Sequence, residues 1–339
     1  MTIWMTFERA LKLYPEKIAL IDGDISYTYQ QIGDAFLEVY YAAASLGAIL
    51  NPINYRLAAK EIAFILNNAG TRWLIAGTRF ASLVKGALRE GVPLEGILWI
   101  GEMPQETIAI DSYGYENAIS AHPGSFEAVA ADENQIAHLY YTSGTTGQPK
   151  GVTLTHKNVC YHALGAIAEI KLVDTDIWGH IAPMFHLADA WATFAITWVG
   201  GRHVMVSQFD AETVMSAIEK EKITLSNLIP TMLNQIIKHP RVKDYQFSSL
   251  RVILSGGAPI APELVRDIMH TFGCDYVQTY GMTETSPYLT LSILKEHLKK
   301  LPPEEQLRYK SKTGRPFIGV DLKVVNDRGV PIAADEQQV

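Results

Sequence analysis

The sequence predicts an α/β fold in which layered, largely parallel sheets are flanked by helices, with a smaller antiparallel β portion. Three observations carry this. Short apolar, strand-like runs alternate with helix-spaced apolar stretches along most of the chain, the rhythm of parallel sheets covered by helices. At 339 residues and 48% hydrophobic composition, the chain can bury a large core. Its glycine-rich and chemistry-bearing segments follow strand-like runs, and open α/β sheets hold ligands outside the carboxyl ends of their strands.

Taken in order, residues 7–14 read as a short amphipathic helix, and residues 18–21 and 26–29 flank Asp22-Gly23-Asp24, a hairpin signal. Gly33-Asp34 runs into a helical pattern over residues 35–41, closed by Gly47. Strand-like runs follow at 48–54, 73–76 and 97–100, with a helix at 58–68 ending at Gly70. Residues 101–132 have weak periodicity and read as a loop region. Residues 135–141 suit a buried strand, and residues 158–170 carry helix-spaced apolar side chains. Further strands are expected at 177–182, 201–206, 224–229, 251–254 and 276–279, with helices at 211–222, 231–238 and 261–271. The mixed-charge stretch 295–312, around Pro302-Pro303, reads as a solvated excursion. Residues 313–332 return to short strands, with Asn326-Asp327-Arg328-Gly329 as a turn.

Composition excludes several classes. A net charge of -7 without a Lys/Arg block argues against a nucleic-acid partner. Cys160 and Cys274 are the only cysteines, which supports neither a disulfide framework nor a metal cluster and suits a reducing cytoplasm. The N-terminus carries Glu8, Arg9 and Lys12 among its apolar residues and lacks the pattern of a signal peptide. Residues 190–201 are too short and too interrupted by threonine to span a bilayer. A soluble, cytoplasmic protein with no membrane span is expected.

Between the strand at 135–141 and the helix at 158–170 lies Tyr141-Thr142-Ser143-Gly144-Thr145-Thr146-Gly147-Gln148-Pro149-Lys150-Gly151. Its glycines let backbone amides approach an anion, its hydroxyls add donors without bulk, and Lys150 adds a positive charge. The bland alternative is a surface turn that holds a lysine. No Walker pattern fits, since Lys150 follows Pro149 and Gly151 stands where a magnesium-binding hydroxyl would be. The string resembles the phosphate-loop signature of the acyl-adenylate-forming, AMP-binding superfamily, and the chain looks like a fatty-acid-CoA ligase of that group. Tyr280-Gly281-Met282-Thr283-Glu284-Thr285 resembles its second signature; on its own it reads equally as a helix start capped by Thr283. Ser255-Gly256-Gly257-Ala258-Pro259 resembles the adenine-contacting loop. Pro183-Met184-Phe185-His186, continuing to Trp191, resembles the segment whose histidine sits beside the incoming carboxylate, against the reading of His186 as a structural histidine. His138, without such company, is assigned to structure.

The resemblance implies the N-terminal domain of an acyl-CoA synthetase fold, ATP and coenzyme A as co-substrates, AMP and acyl-CoA as products, and magnesium as the metal. It assigns phosphate contacts to Thr142, Ser143, Gly144, Thr145, Thr146, Gly147 and Lys150. It assigns nucleotide contacts to Gly256, Gly257, Ala258, Pro259, Thr279, Tyr280, Gly281, Met282 and Thr283. Glu284 would hold magnesium. His186, Trp191, Leu228, Gly281 and Met282 would meet the acid, and His186, Thr283, Glu284 and Lys150 would be catalytic. The apolar residues Phe185, Leu187, Trp191, Phe194, Leu228 and Met282 favour a medium- to long-chain fatty acid. An aryl acid, or a nucleotide-binding module without catalysis, are the alternatives. Residues 1–339 read as the large N-terminal domain, lacking the helix and strand that the superfamily places after Asp34, its ribose-binding aspartate and its small C-terminal domain. Such a chain alone is expected to be poorly active. The partners expected are small molecules, with a homodimer left open.

Overall fold

The chain opens with α1 (Ile3–Leu13) and a hairpin of β1 (Ile18–Asp22) and β2 (Ile25–Thr28), turned by Gly23 at φ +61°. The computed structural model describes residues 1–32, 35–105, 108, 110–121, 128–143 and 148–332, and of residues 35–37 the backbone alone. After α2 (Ala35–Ser45) and α3 (Ala59–Asn68) comes a small parallel sheet of β3 (Trp73–Gly77), β4 (Gly96–Ile100) and β5 (Asp111–Gly114), with α4 (Ala81–Leu88) between β3 and β4 and α5 (Tyr115–Ser120) directly after β5. Ile97 and Trp99 of β4 pack there with Ile62 and Leu66 of α3 in a separate apolar core.

Next come the antiparallel pair β6 (Ile136–Thr142) and β7 (Lys150–Thr155), then α6 (His156–Ile170). The remaining elements build a large sheet: β8 (Ile177–His180), α7 (Leu187–Val199), β9 (Arg202–Met205), α8 (Ala211–Glu221), β10 (Leu225–Asn227), α9 (Pro230–Ile237), β11 (Val252–Ser255), α10 (Pro262–Phe272), β12 (Asp275–Gly281), β13 (Tyr288–Leu291), α11 (Pro303–Lys310) and β14 (Arg315–Pro316). Among the described residues this sheet has nine strands in the order β14-β13-β12-β11-β10-β8-β9-β1-β2, parallel from β12 to β1 and antiparallel at both ends.

Strand alternation divides the core between the two faces of this sheet. Leu254 and Val277 join one cluster with α6 and α7, whereas their neighbours Ile253 and Tyr276 join another with α8, α9 and α10. Both faces are buried, so the strands read as continuous apolar runs, as in a doubly covered sheet. A fully buried Leu or Ile contributes about 1.5–3 kcal/mol relative to exposure, and these two clusters hold most such residues.

Several expectations change. Residues 48–54 form no strand; Leu50 alone bridges β6 beside His138, and Pro52 has no amide to extend the ladder. The segment 101–132 is not all loop, because it holds β5 and α5, which are too short to show periodicity. The expected strand-loop-helix order around Lys150 is instead strand-loop-strand. Its missed strand, β7, has one buried residue, Leu154, and so lacks an apolar run. Helix α6 starts only after it, at His156, where the Thr155 hydroxyl oxygen accepts from the Asn158 amide at 3.1 Å. Helix α7 was not expected as an element: it packs between α1 and α6 and against the sheet, so every residue from Asp189 to Thr197 is buried and no polar face marks it. The stretch 295–312 is not wholly solvated, since α11 buries Leu307 and Lys310, the latter paired with Asp275.

Candidate active site

Three of the sequence motifs sit at the carboxyl ends of β8, β11 and β12, and Leu228 follows β10 between them; these four strands are consecutive parallel neighbours. The fold thereby gathers His186, Leu228, residues 256–259 and residues 280–284 along one edge of the sheet, where such sheets bind ligands.

The β11 and β12 loops are locked together. The Thr279 hydroxyl donates to Ser255 O at 3.1 Å, and Gln278 Nε2 donates to Ala258 O at 2.9 Å. Gly256 is buried between them, and a Cβ there would lie 2.3 Å from Thr279 Oγ1 and 2.9 Å from Thr279 O. Gly257 has φ +78°, a left-handed conformation that glycine adopts without strain. Gly257, Ala258, Pro259, Tyr280, Gly281 and Met282 are exposed along this edge. Gly256→Ala is expected to cost about 1–3 kcal/mol of stability, the usual penalty for overpacking. Adding Thr279→Ala should restore only part of it, because the backbone oxygen stays in place; a native urea midpoint for Gly256→Ala alone would refute this.

At Gly281 a Cβ would stand 1.9 Å from Pro287 O. Its absence lets β12 turn into the short helical turn Thr283–Thr285, whose Thr285 hydroxyl receives the Met282 amide at 3.0 Å. Thr283 is half-buried, and Glu284 is exposed with no ion-pair partner among the described residues. Strand β7 runs beside this turn. On that hairpin Lys150 is paired with Thr142, so the mouth of the hairpin, with Ser143 and Lys150 both exposed, faces the same neighbourhood. Gly144, Thr145, Thr146 and Gly147 lie outside the described residues.

His186 caps the start of α7 and is exposed. Its imidazolium is disfavoured, first by the surrounding protein and then by the charge of Arg56, so its pKa falls below the ordinary value. Phe185 lies 4.6 Å from the His186 ring, between centroids. Trp191 is buried deeper in α7: its indole N–H donates to Ala188 O at 3.0 Å, and it packs against Trp178, His162 and Tyr288. Leu228 is buried too, but in the cluster on the opposite face of the sheet. Trp191 and Leu228 are therefore not side by side, and Leu228 reaches the site edge only through its position at the end of β10. His138 is a core residue as expected, stacked on Phe194 at 5.3 Å.

Two features escaped the sequence reading. Asn227 donates to Ala188 O at 2.6 Å, tying β10 to the first turn of α7, and its Oδ1 is buried without a partner among the described residues. Beneath His186 runs a buried polar chain. Trp178 Nε1 lies 3.2 Å from Asp189 Oδ1, Asp189 Oδ2 is 2.6 Å from His180 Nδ1, His180 Nε2 is 2.9 Å from His203 Nδ1, and His203 Nε2 is 3.0 Å from Thr197 Oγ1. The signal available was Asp189 itself, a lone charge inside an otherwise apolar run, which burial permits only with partners.

For magnesium the donor set fits. Among the described residues no group of three or more His, Cys, Asp or Glu could form an all-protein cage. Glu284 supplies one free carboxylate beside the hairpin mouth, and magnesium is commonly held by one or two carboxylates plus substrate phosphates and water.

The profile of the AMP-binding enzyme family matches residues 33–337. The long-chain-fatty-acid–CoA ligase of Thermus thermophilus is 31% identical over 303 residues, which is 88% of this chain and 54% of the relative. The 3-methylmercaptopropionyl-CoA ligase of Ruegeria pomeroyi is 30% identical over 307 residues, 89% of this chain and 57% of its own length. The chain thus spans little more than half of these curated relatives. An inhibitor-bound N-terminal domain of FACL13 from Mycobacterium tuberculosis superposes with a TM-score of 0.82 at 27% identity, covering 98% of this chain and 86% of that one. The match over most of the sequence, together with the motifs gathered at one sheet edge, places this chain in the AMP-binding enzyme family.

Proposed function

We propose that the protein this chain represents activates a medium- to long-chain fatty acid with ATP, forming acyl-AMP and then the coenzyme A thioester. The observation that carries this reading is the meeting of two motifs from distant parts of the chain: the mouth of the β6–β7 hairpin, with Thr142 and Lys150, lies beside the turn that holds Thr283 and Glu284.

In the first half-reaction a carboxylate oxygen bonds to the α-phosphorus, and the bond from that phosphorus to the bridging oxygen breaks, releasing pyrophosphate. In the second, a thiolate sulfur bonds to the acyl carbon and AMP leaves with the electron pair. Both halves bring anions together, so positioning and charge neutralisation matter more than covalent help. Lys150 and the Thr142 and Ser143 hydroxyls would hold the β- and γ-phosphates. The exposed residues 257–259 and 280–282, with Gly256 buried beneath them, would take the adenine and the adjoining acyl group, with the Thr283 hydroxyl donating to a phosphate oxygen. Glu284 would hold magnesium, which when bound polarises phosphoryl oxygens. The buried wall of α7 around Trp191 supports an apolar acid.

The test is titration with ATP at varied magnesium, followed by pyrophosphate exchange with short, medium and long straight-chain acids. Glu284→Gln should keep the native circular dichroism and lose the magnesium dependence of ATP binding, with affinity falling on the order of ten- to hundredfold. An unaltered magnesium titration would remove Glu284 from the site. Exchange indifferent to any acid would remove the proposed reaction.

A further inference from the structure

A loop from far upstream in the sequence closes the His186 end of the site. Tyr55, in the segment between α2 and α3, stands edge-on to Phe185 with ring centroids 5.3 Å apart at 89°, while also stacking on Phe80 at 5.2 Å. Phe185 in turn adjoins His186. A ring engaged on two sides fixes the backbone that carries it, and the next residue is Arg56. Its amide donates to Asn54 Oδ1 at 3.0 Å, which holds the turn, and its guanidinium carbon lies 5.8 Å from the Tyr55 ring centre. The side chain is exposed, and no carboxylate pairs with it among the described residues. After burial, its charge is the second cause that lowers the His186 pKa.

A guanidinium stays charged at every working pH. Carried on a loop packed against the Phe185–His186 segment, it disfavours the charged form of that imidazole and has no ion-pair partner of its own among the described residues. We infer that Arg56 is a substrate-binding residue whose guanidinium holds the carboxylate of the incoming acid beside His186. This deepens the proposed function and rests on it. The division of labour follows from the chemistry: a neutral imidazole can donate one hydrogen bond but cancels no charge, whereas the acid must approach a triphosphate of its own sign. A cation that never deprotonates lowers that repulsion, and its planar fork of donors matches a carboxylate.

Binding to this chain can be followed by NMR through the His186 imidazole, identified by the loss of its signal in His186→Gln. The probe is octanoate, with octan-1-ol as an uncharged analogue of the same chain length and inorganic pyrophosphate as a phosphate anion. Octanoate should shift the His186 signal in the native protein. In Arg56→Ala its affinity should fall about tenfold, the loss of one partly exposed charge-assisted hydrogen bond. Arg56→Lys should recover part of the loss. Octan-1-ol and pyrophosphate should bind the native and Arg56→Ala proteins alike. Equal octanoate affinity in both would overturn the role of Arg56 while leaving the acid site standing. A loss of pyrophosphate rather than octanoate affinity would overturn it in favour of phosphate binding. No response of His186 to octanoate in the native protein would overturn the acid reading of the site, and the inference with it.

Discussion

Asp189→Ala is expected to lower stability by about 3 to 5 kcal/mol, the usual consequence of removing one partner from a buried charged network. Asp189, His180, His203 and Thr197 are all at most 2% exposed, so water cannot replace the lost bonds. With Asp189 as a carboxylate and both imidazoles neutral, the chain has one consistent proton order. The carboxylate only accepts, so Trp178 and His180 donate to it; His203 Nδ1–H donates to His180, and the Thr197 hydroxyl donates to His203. The alanine variant leaves the Trp178 N–H and His180 Nδ1–H without acceptors. Asp189→Asn behaves differently. Its amide oxygen still accepts from Trp178, and its NH₂ can donate to His180 Nδ1, which reverses the direction of both imidazoles while keeping every contact. The asparagine variant should therefore lose roughly half as much or less, within the ordinary worth of one to two hydrogen bonds. Urea midpoints for the two variants check this. A loss below about 1 kcal/mol for alanine would mean that the chain contributes little, and equal losses for both would mean that charge, rather than hydrogen bonding, holds it together.

Acidification from pH 7 to pH 5 is expected to cost about 4 kcal/mol through two histidines. Burial holds both His138 and His162 near a pKa of about 3, against an ordinary value of 6.5. The folded state thus keeps them neutral while the unfolded chain takes up protons, so their contribution is fully present above pH 6.5 and is lost as pH falls below it. At pH 5 the difference is about 1.5 pH units for each, on the order of 2 kcal/mol per histidine. His203, also depressed by burial and by His180, acts in the same direction. The acidic groups held below their usual range, such as the exposed Asp132 and Asp210 and the half-buried Glu133, lose their contribution only at lower pH, so they add little in this window. The variant that isolates the effect is His138→Phe. Both His138 nitrogens are buried without partners among the described residues, and the ring sits among Tyr40, Tyr140 and Phe194, so no hydrogen bond is lost. Whatever its stability at pH 7, its loss between pH 7 and pH 5 should be smaller by about 2 kcal/mol. An unchanged pH slope would show that His138 is protonated without penalty.

Local chemistry made much of this protein legible in its sequence. The Asp22-Gly23-Asp24 hairpin, the parallel strands from β8 to β12 with helices α8, α9 and α10, and the positions of the four motifs at strand ends follow from turn residues and apolar periodicity, both properties of a few neighbouring residues. So did the burial of His138, which had no polar company. Tertiary structure alone decided other points. Lys150 lies on a strand because Thr142 and Gly151 find antiparallel partners across the hairpin, and a ladder depends on the partner as much as on the strand's own residues. Helix α7 is covered on all sides, so its pattern carries no period. Trp191 and Leu228 belong to opposite faces of one sheet because helix α7 packs on one face while the Leu228 side chain, just after β10, enters the cluster on the other. The meeting of Tyr55 with Phe185, and of His180 with His203, depends on which distant segments the packing brings together, and that is a global free-energy balance that local residue types do not encode.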